Sequence, residues 1–296
     1  MKKILTGLIV LSLFISCGKE SKPVSGAVVG RMSHAQVDSM LRVNSTKNYT
    51  VTERIRLYSE LFLNTPYSWH ATGDGPYALY ESWPLVSLDS TNCMVYCEHV
   101  LAMAISDSWD HFFNNLQQIR YQNGIIGMKT RNHYTMADWR LENDWILNDV
   151  SAKVGGDYTR KMTRIISHEN FFRGKGLSDL RYVKPDRKIT VDYVPMEHLA
   201  DVKENIRNGD IVALLYAHKQ NVFSAHMLMI IEKDGKLFFR EASTSNYSTF
   251  ETEFHEWLDW KGGWDRYAGI AFMRVKPQIN KPNAVILPHK ISDLKD

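Results

Sequence analysis

The chain has 296 residues, of which 44% are apolar and 23% charged, a balance that suits one large or two small packed domains and excludes a disordered or fibrous chain. Its 36 basic and 33 acidic side chains leave a formal net charge of only +3 with no basic stripe, which argues against a nucleic-acid-binding surface. The many Trp and Tyr side chains are compatible with sugar or peptide binding, although packing explains them more simply.

In chain order, Lys2 and Lys3 precede the uncharged apolar run Ile4 to Ile15. That run is too short to span a bilayer and has the form of an export signal, which stands outside the fold. It ends in Leu13-Phe14-Ile15-Ser16-Cys17-Gly18, a small residue before a cysteine, and so resembles a bacterial lipobox. Residues 1–16 are expected to be a lipoprotein signal peptide and Cys17 its lipidation site, with ordinary signal cleavage as the alternative. Gly18, not Asp, follows the cysteine, which under Gram-negative sorting rules favours an outer-membrane anchor facing the periplasm. Residues 17–31 read as a polar tether, and no later run is long enough for a membrane helix.

Met32 to Asn64 reads as two helices broken near Asn44-Ser45, with Ser33 as a cap. Tyr67 to Trp83, aromatic and punctuated by Gly and Pro, reads as a loop. Asp89-Ser90-Thr91-Asn92 is a cluster of cap residues ahead of the almost wholly apolar Cys93 to Ile105, a buried helix. Trp109 to Arg120 is a further amphipathic helix, Gly124 to Gly155 is irregular or short-stranded, and His198 to Arg207 is a short helix. Strand-like runs follow at Ile211–Tyr216, His226–Glu232, Leu237–Ala242 and Gly269–Val275. Lys233-Asp234-Gly235-Lys236 is a two-residue hairpin turn between the second and third of them. Residues 279–296 read as a Pro- and Lys-containing tail. Helices first and antiparallel strands later indicate an α+β domain.

With Cys17 assigned to the anchor, Cys93 and Cys97 remain, and their spacing on one helix is poor for a disulfide. A catalytic cysteine needs a lowered pKa, a base and a group that orients the base. Cys93 follows the cap cluster in the first helical turn, where the dipole and free N–H groups favour a thiolate and an oxyanion. Cys97, one turn deeper, reads as a small buried hydrophobe. If Asp234-Gly235 form the turn, Lys233 faces Lys236, Leu228 faces Glu241 and His226 faces Ser243. His226, Leu228 and Ile230 then share a face with Phe239, Glu241 and Ser243, and Glu241 is a diagonal neighbour of His226. The apolar remainder of that face is expected to pack on the Cys93 helix. Ser243 is the reserve orienter. A zinc site from Cys93, Cys97 and His99 is disfavoured, because residue 99 leaves the helix face shared by 93 and 97. No metal and no cofactor is expected.

The run Asn208-Gly209-Asp210-Ile211-Val212, then Ala225-His226-Met227-Leu228-Met229-Ile230, then Asp234-Gly235-Lys236-Leu237 and Glu241-Ala242-Ser243 resembles the sheet of NlpC-type papain-like cell-wall hydrolases. Within them the likeness is greatest to the N-acetylmuramoyl-L-alanine amidase-like family of bacteria such as Bacteroides. Thr65-Pro66-Tyr67, Cys93 with Glu98 and Val100-Leu101-Ala102, Ile119 to Gly124, and Arg131-Asn132-His133-Tyr134 with Asp138-Trp139 add to it. The likeness runs over roughly residues 50 to 275, carried by the order and spacing of the motifs together.

The resemblance implies a papain-like fold in one domain, residues 32–278. Its nucleophile would begin a buried helix packed on an antiparallel sheet, with helical additions before it and a long insertion between Cys and His. It further implies that Cys93 attacks an amide carbonyl, that His226 shuttles the proton with Glu241 as the third member, and that water releases the acyl group. The implied substrate is the amide between the lactyl group of N-acetylmuramic acid and L-alanine in peptidoglycan or muropeptides. Tyr67, Arg131, His133, Tyr134, Asp138 and Trp139 would shape the peptide or sugar site, with a polar network in a buried loop as the alternative for the last five. The chain departs from the family pattern at Asn92, where Asp is usual, at Met94 and Val95, where two Thr are usual, and at Glu241, where His is usual. A stem-peptide endopeptidase of the same fold, or a wall-binding lipoprotein on a decayed hydrolase scaffold, remain open as alternatives.

Overall fold

Ser33 and Thr50 start the first two helices by the same device. In a computed structural model describing residues 29–263 and 265–295, Ser33 Oγ accepts from the Gln36 N–H at 3.3 Å while Gln36 accepts from the Ser33 N–H at 2.7 Å. Thr50 and Glu53 repeat this reciprocal capping box. The helices are α1 (His34–Ser45) and α2 (Val51–Leu61), broken where the sequence pattern places the break. Cys17 and the signal segment lie outside the described residues.

Helix α3 (Cys93–Ala104) is buried from Val95 to its end, as expected of a helix apolar on all sides. Ser108 caps α4 (Trp109–Arg120), accepting from the His111 N–H at 3.2 Å. The segment expected to be irregular holds a π-helical turn, Thr135–Trp139, and a short helix, Ser151–Gly155. It also holds strand β1 (Leu147–Asp149).

The other strands are β2 (Arg160–Ile166), β3 (Arg187–Pro195), β4 (Ile211–Tyr216), β5 (Ser224–Lys233), β6 (Lys236–Ser243), β7 (Ser248–Glu253) and β8 (Tyr267–Val275). They form one antiparallel sheet in the order β2-β3-β8-β4-β5-β6-β7, with β1 also paired to β8. Asp234 and Gly235 both have positive φ, 51° and 73°, the backbone that a two-residue type I′ hairpin requires. The register follows from that turn: Lys233 pairs with Lys236 and Met229 with Arg240. Pairing of β5 with β6 stops there, and β5 carries a bulge opposite Leu214 and Leu215 of β4. The two strands therefore part at the end where His226 and Glu241 stand.

Both faces of the sheet are buried. Met227, Met229, Ile231, Ala213 and Leu215 share a core with Cys97, Val100 and Leu101 of α3. Leu228, Ile230, Leu214 and Phe239 pack with Phe254 and Trp257 of the helix Phe254–Gly262. This corrects the expected packing: the face of β5 that carries His226 backs onto the later helix, and the opposite face meets α3. Two further expectations fail. Residues 198–207 form no continuous helix, because their backbone bonds close over three residues in two separate 3₁₀ turns, Met196–His198 and Lys203–Asn205. The C-terminal segment is no free tail: Ile279, Ile286 and Ile291 are buried in the α3 core, and the Ile286 N–H donates to Ile105 O at 2.9 Å.

Candidate active site

Asn92 shapes the start of α3. Its extended backbone lets Oδ1 accept from the Val95 N–H at 3.0 Å, leaving Cys93 in the first helical position. One turn on, His99 Nδ1–H donates to Val95 O at 2.8 Å and its Nε2 accepts from the Ser87 N–H at 3.3 Å. Burial, and then the Arg120 charge, push His99 down to about 3, so this neutral ring ties residues 87–92 to the helix. The Thr91 N–H donates to Pro66 O at 2.9 Å and the Ser68 N–H to Thr91 O at 2.8 Å. That short parallel bridge sets Tyr67 beside the cysteine.

At the parted end of β5 and β6, Cys93 lies within hydrogen-bonding reach of His226 and of the N–H groups of Met227 and Met94. The His226 Nε2–H donates to Glu241 Oε2 at 2.8 Å, and Glu241 Oε1 accepts from the Trp257 indole N–H at 2.9 Å. Glu241 is fully buried, and the His226 side chain is 16% exposed. Burial drives the Cys93 thiol up, but the His226 charge and these hydrogen bonds outweigh it and hold the thiol below its ordinary value. Burial likewise drives His226 down, and the Cys93 charge with the Glu241 contact outweighs it and raises the imidazole. The carboxyl of Glu241, opposed by burial, is held low by His226, Lys261 and Trp257. Such an array can hold a thiolate–imidazolium pair. Cys97, fully buried, is pushed well up by desolvation, then by Cys93 and Glu98.

The sequence-derived residues thus converge in part. Cys93, His226, Glu241 and Tyr67 meet. Ser243 does not join them, because its hydroxyl donates to Ser245 at 3.2 Å. Arg131 and His133 line a cavity of about 520 Å³ that reaches the α3 N-terminus, with Asn92, Met94, Trp69 and Trp83 among its other walls. Arg131 is ion-paired to Asp74 and Glu81, and the His133 Nε2–H donates to Met128 O at 2.7 Å. Tyr134 lines a neighbouring cavity of about 350 Å³ with Phe171 and Asn221, and Lys175 borders both. Asp138 and Trp139 lie behind these walls, 1% and 0% exposed. Asp138 accepts from the Tyr134 N–H and His168 and pairs with Arg187, so the buried polar network describes it and the core describes Trp139.

Trp257, Trp69, Trp83 and His168 were not singled out from the sequence. Trp257 carried one usable signal: Phe254, Trp257 and Lys261 recur at helical spacing after the strand Ser248–Glu253. Among the described residues no group of three or more His, Cys, Asp or Glu side chains could hold a metal ion.

A family model described as N-acetylmuramoyl-L-alanine amidase-like matches residues 57–263. A protein of Legionella pneumophila of known crystal structure superposes with a TM-score of 0.75, over 88% of this chain and 98% of its own, at 20% identity. At that identity the likeness is one of fold. Two crystal structures of an N-acetylmuramoyl-L-alanine amidase from Bacteroides uniformis superpose with TM-scores of 0.60 and 0.59 at 25% and 26% identity, each over 76% of this chain and 99% of its own. No curated protein matches the chain.

Proposed function

The chain belongs to the N-acetylmuramoyl-L-alanine amidase-like family, and from that premise we propose that it is a cysteine hydrolase of peptidoglycan fragments on a papain-like, NlpC-type scaffold. The bond cut is the amide joining the lactyl group of N-acetylmuramic acid to L-alanine. The observation that carries the reading is the line Cys93–His226–Glu241 at the N-terminus of α3, with a cavity opening beside it.

In this mechanism the Cys93 thiolate attacks the amide carbonyl carbon, and the charge moves to the carbonyl oxygen. The Cys93 N–H, at the first helical position, has no acceptor within the helix and is placed to receive that oxygen. Tyr67 is a second donor: burial, then the Cys93 charge, raise its hydroxyl, so it keeps its proton at neutral pH. His226 gives its proton to the departing alanine nitrogen, and the C–N bond breaks to leave a thioester. Water then attacks the thioester, losing a proton to His226, and the lactyl carboxylate leaves as the Cys93 thiolate returns. Trp69 and Trp83, with His70 stacked on Trp83 at 4.1 Å, offer flat faces for a sugar ring. Asn92 caps α3 in place of the usual Asp, and Met94 and Val95 make this part of the cavity wall apolar.

The protein works, in this proposal, outside the cytoplasm, with residues 1–16 as signal, Cys17 lipidated and the residues after it as tether to the outer membrane; the tether stops short of the expected residue 31, because Val29 is already buried in the α3 core. The test is mass spectrometry of defined muropeptides after incubation with purified protein. Free sugar carrying the lactyl carboxylate, together with the intact stem peptide, is expected. Cys93→Ala should abolish hydrolysis and keep the fold, whereas Cys97→Ala should keep hydrolysis and lose about 1 kcal/mol of stability. Cleavage within the stem would make the protein an endopeptidase. Binding without cleavage would make it a wall-binding protein on a hydrolase scaffold.

A further inference from the structure

Glu241 is gripped from two sides by groups on different oxygens. His226 takes Oε2 at 2.8 Å, and the Trp257 indole N–H takes Oε1 at 2.9 Å. Neither Glu241 nor Trp257 is exposed. The indole is itself fixed, stacked on Phe239 with ring centroids 4.0 Å apart, and Phe239 stacks on Phe254 at 5.5 Å. A buried carboxylate oxygen without a donor favours the protonated acid, and a carboxyl held at only one oxygen can turn about its last bond. The Trp257 N–H removes both freedoms, and it does so from the face of the sheet opposite α3.

We propose that Trp257 is a positioning residue for hydrolysis, acting through Glu241 to hold the His226 imidazole against Cys93. The inference rests on the catalytic reading above and adds to it an element, the helix Phe254–Gly262, that supports the acid from behind. The other ionisable groups near the array are Lys261 from that same helix, Tyr267 from β8, Tyr67 beside Cys93, and Cys97 one turn deeper in α3. All of them stay in place when position 257 alone is changed.

Two substitutions separate the hydrogen bond from the packing. Trp257→Phe keeps an aromatic ring on Phe239 and removes the donor. Trp257→His keeps a five-membered ring with an N–H where the indole N–H stood, and removes the fused ring that fills the core. The readout is the pH dependence of Cys93 alkylation by iodoacetamide, followed on the Cys93 peptide by mass spectrometry, together with kcat, KM and the melting temperature. In Trp257→Phe the alkylation midpoint should rise by about one pH unit. Its kcat should fall about tenfold, with KM changed much less. In Trp257→His the midpoint should stay near that of wild type while the melting temperature falls. In a Glu241→Gln background, Trp257→Phe should add nothing further to the loss of kcat.

The reverse pattern, a shifted midpoint in Trp257→His and none in Trp257→Phe, would make Trp257 a packing residue only. So would a full tenfold further loss in the Glu241→Gln background. If wild-type Cys93 is alkylated with the pH profile of an ordinary free thiol, the catalytic reading itself fails. If wild type shows the lowered profile and Trp257→Phe shares it, only the present inference fails.

Discussion

Glu241 carries a charge into a place with no solvent, which is costly unless both oxygens find donors. His226 and Trp257 supply them. Glu241→Gln should therefore fold, but its amide orients the ring less well and no longer balances an imidazolium. Turnover on a muropeptide should fall about a hundredfold, with a smaller change in KM. Glu241→Ala should fall further because the ring is also freed. Ser243→Ala should run near the wild-type rate, since its hydroxyl serves Ser245. Steady-state kinetics of the three variants decide this: active Glu241 variants beside an inactive Ser243→Ala would hand the third position to Ser243. The nearness of His226 to Glu241 was legible in the sequence because the Asp-Gly turn sets the register and faces of the hairpin, although the ladder ends at Met229 and Arg240, short of the expected pairs Leu228–Glu241 and His226–Ser243. Trp257 was not, because it arrives from a helix whose packing on β6 no local pattern encodes.

At the scale of the element, α3 does two jobs with one cap. Asn92 satisfies a helical N–H and also fixes the turn from which Cys93 projects. Asn92→Ala should cost about 1 kcal/mol of stability. It should also slow Cys93 alkylation at neutral pH, while Asn92→Asp keeps both near wild type. Thermal melts alongside iodoacetamide labelling check this, and a destabilised Asn92→Ala with unchanged labelling would confine the cap to stability. Helices α1 to α4 and strands β4, β5, β6 and β8 were readable because their apolar residues are periodic or continuous. Strands β2 and β3 were not: Arg160, Lys161, Arg187 and Lys188 lie on their arms, and pairs such as Lys161 with Asp192 at 2.7 Å put charge where alternation would otherwise show. The face of β5 that meets α3 was misread for a different reason. Met227, Met229 and Ile231 on one side are as apolar as Leu228 and Ile230 on the other. A strand buried on both faces carries no sign of which neighbour lies where.

The described residues form one sheet covered on one side by α3 and its neighbouring helices and on the other by the helix Phe254–Gly262 together with Val154, Leu199 and Ile206. Its overall α+β class followed from helices preceding strands, whereas the path of the last residues did not, since a segment rich in Pro and Lys gives no periodic signal for its few buried isoleucines. The proposed anchoring belongs to this scale. Cys17→Ser should move the protein from the membrane fraction to the soluble one, and immunoblots of fractionated cells read the outcome directly. Unchanged partitioning would show that Cys17 carries no anchor.

The last stretch of chain has a consequence for when the protein becomes itself. Asn115 in α4 donates to Ile286 O at 2.9 Å, and Arg54 in α2 donates to Ala284 O. Ile286 and Ile291 then complete the core around α3. These contacts join residues 171 and 230 positions apart in the sequence. The core around the helix that carries Cys93 is thus closed by pairings that cost loop-closure entropy before they stabilise anything, so it should form late in folding.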